Sequence, residues 1–399
     1  MRRWRFPAAL LAGVLLLFVA VSFTTDGRLV AEPYFTVRDG YKCSKCHVNR
    51  TGGGKRSDYA KVYMATRMAA NPGGEVATGD FGHGRLNEYF SLSADVRAIA
   101  EYRRFDGEQP SWHFGRRGAC ESCHQTFNGG GKLAEIYEQL EVMPGKASIV
   151  LGQSLLPNVS SREAFGLLES ERLNGYLKAG TFRMPTALRN TWDDPYLHGT
   201  VGFSATHDLV GLEAVRGEGV EMGIEPGPFS LSLSVTNPGA LDSLGSTPAV
   251  GKRVHLNAYA VGSLGLLGAT IYNDPVREDL ERDFTALYGG VSLGRVTGLL
   301  ELDAYKESDP LTKTEVKKQA MHAEIDVLVA QGHNLKWQYE AYDPNTEAKK
   351  DRSDRTSVIY EPFLTPYLQV RTGARRSEGP RSGTGLNGTT IFAELHLMY

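Results

Sequence analysis

The chain has 399 residues, with 44 Lys and Arg against 46 Asp and Glu and a formal net charge of −2. That balance gives no global field for nucleic acid, and the length allows two or three ordinary domains or one small domain joined to a large barrel. Past residue 23 no apolar run is long enough for a second membrane-spanning helix, which excludes a multi-span helical protein but not a β-barrel, whose apolar positions alternate with polar ones.

The chain opens on a basic stretch, Met1 to Pro7, followed by a sixteen-residue apolar run over 8–23. The run is shorter than the ~20 residues of a membrane-spanning helix, which predicts a secretory signal peptide over 1–26. Ala20, Ser22 and Ala31 are candidate cleavage positions, and an uncleaved anchor is the alternative. No cysteine lies near the run, so a lipoprotein is excluded.

The second predicted segment, 27–84, carries the first copy of a repeated motif. Cys43-Ser44-Lys45-Cys46-His47 is followed, after four residues, by Gly52-Gly53-Gly54-Lys55. Cys120-Glu121-Ser122-Cys123-His124 stands 77 residues later and is followed, again after four, by Gly129-Gly130-Gly131-Lys132. All 4 cysteines belong to these copies. C-x-x-C-H is the attachment signature of c-type haem. Each cysteine adds across a vinyl group and the histidine supplies the proximal iron ligand, so the repeat predicts two haem c groups on Cys43, Cys46, Cys120 and Cys123, with His47 and His124 on iron. A zinc site from two C-x-x-C knuckles, or two disulfides, would need neither the histidines nor the shared glycines. Glycine takes φ > 0 and lets backbone lie close to a flat group. Lys55 and Lys132 are placed to pair with propionates, with an ordinary solvated lysine as the alternative. Export agrees with c-type haem, which is attached outside the bacterial inner membrane.

The sixth ligand decides whether such an iron shuttles electrons or binds substrate. His83 and His113 are the candidate distal ligands, and His113 stands between Trp112 and Phe114, a setting suited to packing on a porphyrin. Met64 and Met68 compete, but their i, i+4 spacing on a predicted helix over Asp58 to Ala70 suits packing better. His198 and His207 are more distant candidates. Arg116 and Arg117 precede the second motif and suit propionates or solvent equally.

From residue 85 to 399 the chain alternates with the period of a strand. Leu92, Ala94, Val96, Ala98, Ala100 and Tyr102 share one face of a first strand over 86–103. Val254, Leu256, Ala258 and Ala260 alternate with Arg253, His255, Asn257 and Tyr259. Trp337, Tyr339 and Ala341 alternate with Lys336, Gln338 and Glu340. His255, His322 and His396 all fall on polar faces. Asn174-Gly175, Asn237-Pro238-Gly239, Asn273-Asp274-Pro275 and Asp343-Pro344-Asn345 read as turns. Segments this long match outer-membrane barrel strands of about 10 residues, apolar outward and polar inward, and predict an all-β transmembrane barrel of roughly 14–16 antiparallel strands. A soluble β-sandwich is the alternative, with strands of about 5–6 residues. The second motif falls in an insertion at 104–131, and 184–202 lacks alternation, as an outer loop or an inward fold would. The last segment, Ile391 to Tyr399, alternates without a break and ends on an aromatic residue. No G-x-S-x-G, P-loop or H-E-x-x-H motif is present, which favours electron transfer over enzymatic catalysis.

An exported chain with C-x-x-C-H motifs at Cys43–His47 and Cys120–His124 and a final strand ending at Tyr399 resembles the fused outer-membrane cytochrome–porins of iron-oxidising bacteria. It is also similar to the haem-bearing porin-like proteins of bacteria that exchange electrons with extracellular acceptors. The resemblance covers 27–399. It implies an outer-membrane location with the haem region facing the periplasm or the barrel lumen, electron transfer through two haems, and two partners: a periplasmic redox protein and an extracellular donor or acceptor. The iron-oxidase type carries one haem before the barrel, whereas this chain carries a second motif after the first strand. Gly175 to Phe182 looks like a strand of anion-type porins. The other readings are an exported di-haem enzyme of peroxidase type and a passive porin with a haem docking segment.

Overall fold

A computed structural model describes residues 33–72, 84–106, 109–114, 131–156, 160–184, 187–188, 216–237, 252–277, 280–309, 311–348, 351–379 and 387–399. Seventeen strands lie among them: β1 (Phe90–Phe105), β2 (Ser111–Phe114), β3 (Gly131–Met143), β4 (Ala147–Leu156), β5 (Ser160–Ser170), β6 (Gly175–Arg183), β7 (Arg216–Ile224), β8 (Phe229–Asn237), β9 (Arg253–Gly262), β10 (Gly265–Arg277), β11 (Leu280–Leu293), β12 (Val296–Asp309), β13 (Thr314–Ala330), β14 (His333–Asp343), β15 (Ser353–Thr365), β16 (Leu368–Glu378) and β17 (Gly388–Met398). From β3 onward, successive strands pair antiparallel, and β17 returns to β1 in a ladder from Asp95↔Met398 to Phe105↔Gly388. The sheet therefore closes on itself through the β1–β17 seam.

β2 and β3 pair with the same edge of β1. Residues 111–114 lie against Arg103 to Ala100, and Gly131 to Leu140 lie against Ala98 to Phe90. The two pieces fill one position in the wall, so the barrel has sixteen. The two pieces end on either side of Ile99, and the sequence between them, 115–130, lies outside the described residues.

The two faces divide as period two requires. Val254, Leu256, Ile271, Trp337, Val358, Ile391 and Leu395 are exposed outward, while His255, His322, Glu340, Arg355, Glu394 and His396 are buried inward. At one end the connections are two to four residues long, as in 263–264 and 171–174; at the other they reach 32 residues, 184–215. The predicted turn at Asn273-Asp274-Pro275 is instead the end of β10, where Pro275 stands opposite Glu281. On its other edge β10 stops pairing at Asn273, so a proline beyond that point removes no ladder bond there.

The inner face is not uniformly polar. On β9 to β12 it presents Tyr259, Val261, Leu266, Tyr272, Phe284, Ala286, Tyr288 and Leu299, all buried in one cluster. Gly268 stands opposite both Tyr259 and Tyr288 in the register. A Cβ there would come within 2.5 Å of the Tyr288 ring and 2.7 Å of the Tyr259 Cβ. The absence of a side chain lets the two rings share the row.

Residues 33–72 lie inside the barrel at its short-turn end. Helix α1 (Pro33–Asp39) begins on a proline, whose missing N–H costs nothing at a first turn, and ends before Gly40 at φ 73°. Helix α2 is the single turn Cys43–Cys46. Helix α3 (Asp58–Tyr63) is capped by Ser57, whose side chain accepts from the Ala60 N–H at 3.2 Å. It continues as a π-helical turn, Met64–Met68, so the predicted helix over 58–70 changes type halfway. Gly268→Val is expected to cost about 1–3 kcal/mol through overpacking. Gly298→Ala meets nothing within 4 Å and should be silent. Urea midpoints of the two variants in detergent check this.

Candidate functional site

The segment that carries Cys43–His47 sits at the short-turn mouth, held by wall contacts made on either side of the motif as well as from it. Cys43 donates its backbone N–H to the Tyr259 hydroxyl at 3.1 Å. Ser44 Oγ donates to Glu225 Oε2 at 2.8 Å, and Lys42 Nζ to the Glu225 carbonyl at 2.6 Å. Arg50 bridges Glu169 at 3.0 Å and Glu225 at 3.1 Å. Asn49 Nδ2 donates to Glu163 Oε1 at 3.0 Å, while Asn49 Oδ1 accepts from Lys178 Nζ at 2.8 Å. Lys178 is itself paired with Glu221 at 2.7 Å, both side chains being fully buried. On the far side, Arg38 donates to Asn334 Oδ1 at 3.2 Å and the Ala70 N–H to the Phe363 carbonyl at 2.8 Å. Lys61 Nζ donates to the Leu92 carbonyl at 3.1 Å.

Charge explains the seating. Residues 33–72 carry eight cations (Arg38, Lys42, Lys45, Arg50, Lys55, Arg56, Lys61 and Arg67) and two acids (Asp39 and Asp58), a net of +6. The wall answers with carboxylates, among them Asp95, Glu163, Glu169 and Glu225. The apolar contribution comes from the aromatic inner face: Tyr34, Phe35, Val37, Met64 and Met68 pack into the β9–β12 cluster, with Cys43 and Tyr63 against it.

The donor set suits a covalently attached haem. Cys43 and Cys46 are free thiols on one helical turn, and His47 follows at its C-cap. Gly52, Gly53 and Gly54 all take positive φ, at 98°, 76° and 66°. The strip they form lies on the thiol, since a Cβ on Gly52 would sit 3.7 Å from Cys43 Sγ. A side chain on Gly52 would fill the space beside the sulfur, and one on Gly54 would run into the Glu163 carboxylate. Burial pushes the Cys43 thiol up, and it pushes Cys46 up to about 12, with the neighbouring Cys43 adding to the shift. Met64 and Met68 are both buried in the core cluster, as the packing alternative expects.

His113 lies on β2 opposite Glu101, on the inward side, with its Nε2 2.8 Å from Ser111 Oγ. It is exposed and on a different element from Cys43. Its neighbours Trp112 and Phe114 do not frame it. They stack on the outer face, Trp112 against Tyr102 at 5.3 Å, because adjacent strand residues point to opposite sides. Cys120, Cys123, His124, His83, His198 and His207 lie outside the described residues, as does the predicted signal peptide. His255, His322 and His396 are buried on the inner face, as their register implied. Residues Met184 and 187–188, from the segment without alternation, turn inward: the Ala187 N–H donates to Thr270 Oγ1 at 3.3 Å and the Leu188 N–H to Glu301 Oε2 at 2.9 Å. Asn49, Glu163, Lys178 and Glu225 were not foreseen as anchors. A tyrosine at 259, in the polar register of its strand, was the one visible sign of the aromatic inner face.

The barrel is a porin-like fold of sixteen strands. It is similar to an anion-selective porin from Comamonas acidovorans, with a TM-score of 0.60 and 13% identity over 78% of this chain and 98% of that one. Salmonella typhi OmpF superposes with a TM-score of 0.57 at 9% identity, over 78% and 97% of the two chains. OmpT, an outer membrane protein of Vibrio cholerae, gives 0.52 at 10% identity, over 78% and 100%. No protein-family model matches the sequence, and no curated protein matches it.

Two outcomes follow from the buried groups. In haem-free protein, Cys46 at about 12 against a reference of 9.0 is expected to alkylate roughly a thousandfold more slowly at neutral pH than an ordinary thiol, since the thiolate reacts. Mass-spectrometric alkylation rates check this. Burial, then the charge of Lys55, lowers Lys61 from 10.5 to about 7. Between those values the released form binds a proton that the seated form does not, so seating strengthens as pH rises from 7 towards 10.5. Lys61→Met should flatten that dependence, read as protease protection of 33–72 against pH.

Proposed function

We propose that this protein carries electrons across the bacterial outer membrane through two haem c groups, bound at Cys43 and Cys46 and at Cys120 and Cys123. His47 and His124 are the proximal iron ligands in this reading, with His83 and His113 as candidate distal ligands. The observation that carries it is the position of the Cys43–His47 element, seated within a closed barrel whose outer face is apolar. A bound haem supplies an iron that alternates between ferric and ferrous states. The chain supplies the rest. Tyr259 and Glu225 fix the helical turn that bears the thiols. The β9–β12 face keeps water from one side of it, and the barrel separates the whole from lipid.

Short turns face the periplasm in barrels of this kind. The seated segment then meets a periplasmic redox protein, and the long connections meet an extracellular donor or acceptor. The hydrocarbon layer is about 30 Å thick, more than one haem spans. In this reading the second motif, at 120–124, lies in sequence between β2 and β3, whose pairings to β1 end on either side of Ile99, and the two haems take different heights in the membrane.

A second reading, a porin with a stopper, draws on the charged inner face of β13 to β17. Liposomes enclosing a redox dye separate the two. Protein bearing both haems is expected to pass electrons from an external reductant to the dye, and Cys43→Ser/Cys46→Ser protein to lose that transfer. Dye left oxidised by the haem-bearing protein, with ion conductance at the level of an open pore, would overturn the conduit in favour of the porin.

A further inference from the structure

Lys55 ends the glycine strip that begins on Cys43, and its side chain is only 1% exposed. Among the described residues its Nζ makes no hydrogen bond and no ion pair. The charges that act on it are Asp58 from α3, Glu141 from β3 and Arg85 from the segment before β1. Arg85 has already taken Asp58 as its own partner. A buried ammonium without a contact ion is an expensive arrangement, and lysines are almost never fully buried unless paired. Burial lowers Lys55 to about 8. The side chain is therefore not the freely solvated lysine of the plain alternative, and among the described residues no anion is in contact with it.

We propose that Lys55 is the counter-ion of a haem carboxylate, the haem being the one attached at Cys43 and Cys46. The inference rests on the proposed haem function. Haem carries its vinyl groups and its propionates on different edges. The strip from Gly52 to Lys55 can span at most about 11 Å, comparable with the width of a porphyrin. Its first residue touches the Cys43 side chain and its last presents the amine. Both copies of the motif end in lysine after three glycines, Lys55 and Lys132. Neither haem attachment nor a tight turn requires that residue, whereas a fixed distance from thioether to carboxylate does.

The test uses full-length protein bearing both haems. Lys55→Gln is expected to lower the midpoint potential of one haem, because an uncompensated carboxylate favours ferric iron. A tenfold shift in the oxidised-to-reduced ratio corresponds to about 59 mV for a one-electron couple. That potential should also become pH-dependent as the freed carboxylate titrates, and Lys55→Arg should restore both properties. Unchanged potentials and an unchanged pH profile in Lys55→Gln protein with full haem content would overturn the proposal. Stability gives a second readout. In the Cys43→Ser/Cys46→Ser background, Lys55→Met should leave stability unchanged or raised, because it removes a buried charge without a partner. In the haem-bearing protein the same change should destabilise. Destabilisation in both backgrounds would make Lys55 an ordinary structural cation. Haem content of the Cys43→Ser/Cys46→Ser protein equal to that of wild type would instead sink the haem reading itself, a failure distinct from that of the lysine.

Discussion

Closure of the sheet is the constraint on which the rest depends. An open strand edge would leave a row of backbone groups unpaired, so β17 must find β1, and it does so over eleven residue pairs. Closure fixes an interior. A sixteen-position wall encloses more space than its own side chains fill. Here the space at the short-turn end is taken by the chain's own residues 33–72, whose net of +6 meets wall carboxylates. The outer apolar face and the inner charged face are two sides of one alternation. A one-residue slip in any strand would exchange them, and the ladders from β5 to β10 and from β11 to β13 run without a register shift.

The interior is divided by chemistry as well as by height. Many inward positions carry ion pairs such as Lys178–Glu221 and Arg355–Glu340, the latter at 2.6 Å. On β9 to β12 aromatic and aliphatic side chains replace them. Ion pairs order neighbours but tolerate water, whereas the aromatic face excludes it. Cys43 lies at the boundary, with Tyr259 accepting its N–H and Glu225 close to the next residue. A redox group attached there would have an apolar wall on one side and a charged rim on the other. Burial and nearby charge are the two levers by which a protein sets the potential of such a group.

Much of the wall was legible because each strand has one buried and one lipid-type face, which forces period two into the sequence. Val254 to Ala260 and Ile391 to Tyr399 fall in the structure as their alternation implied. The turn expected at Asn273-Pro275 failed because turn residues also suit the end of a strand that has lost one neighbour. The site was legible only in its covalent part. Two thiols and a histidine at fixed spacing announce themselves, but Asn49, Glu163 and Glu225 are common residues far apart in sequence. What makes them a site is closure, which sets residue 225 beside residue 44. The aromatic neighbours of His113 misled for a simpler reason: in a strand, adjacent side chains cannot share a face.

The insertion at 115–130 follows from the same geometry. A loop added at a strand end would place the second motif at a mouth. On the β1 edge the interruption costs the ladder only the pair at Ile99, because β2 and β3 keep their pairing to β1 on either side. Ile99 is buried on the inner face beside Ile359 and Phe392, so the wall at the gap is backed by apolar packing rather than by charge. The strand opposite β1 on its other edge, β17, runs unbroken past the same height. The β1–β17 seam therefore stays closed at the height of Ile99. Under the proposed function, a second cofactor between the mouths would need that seam intact.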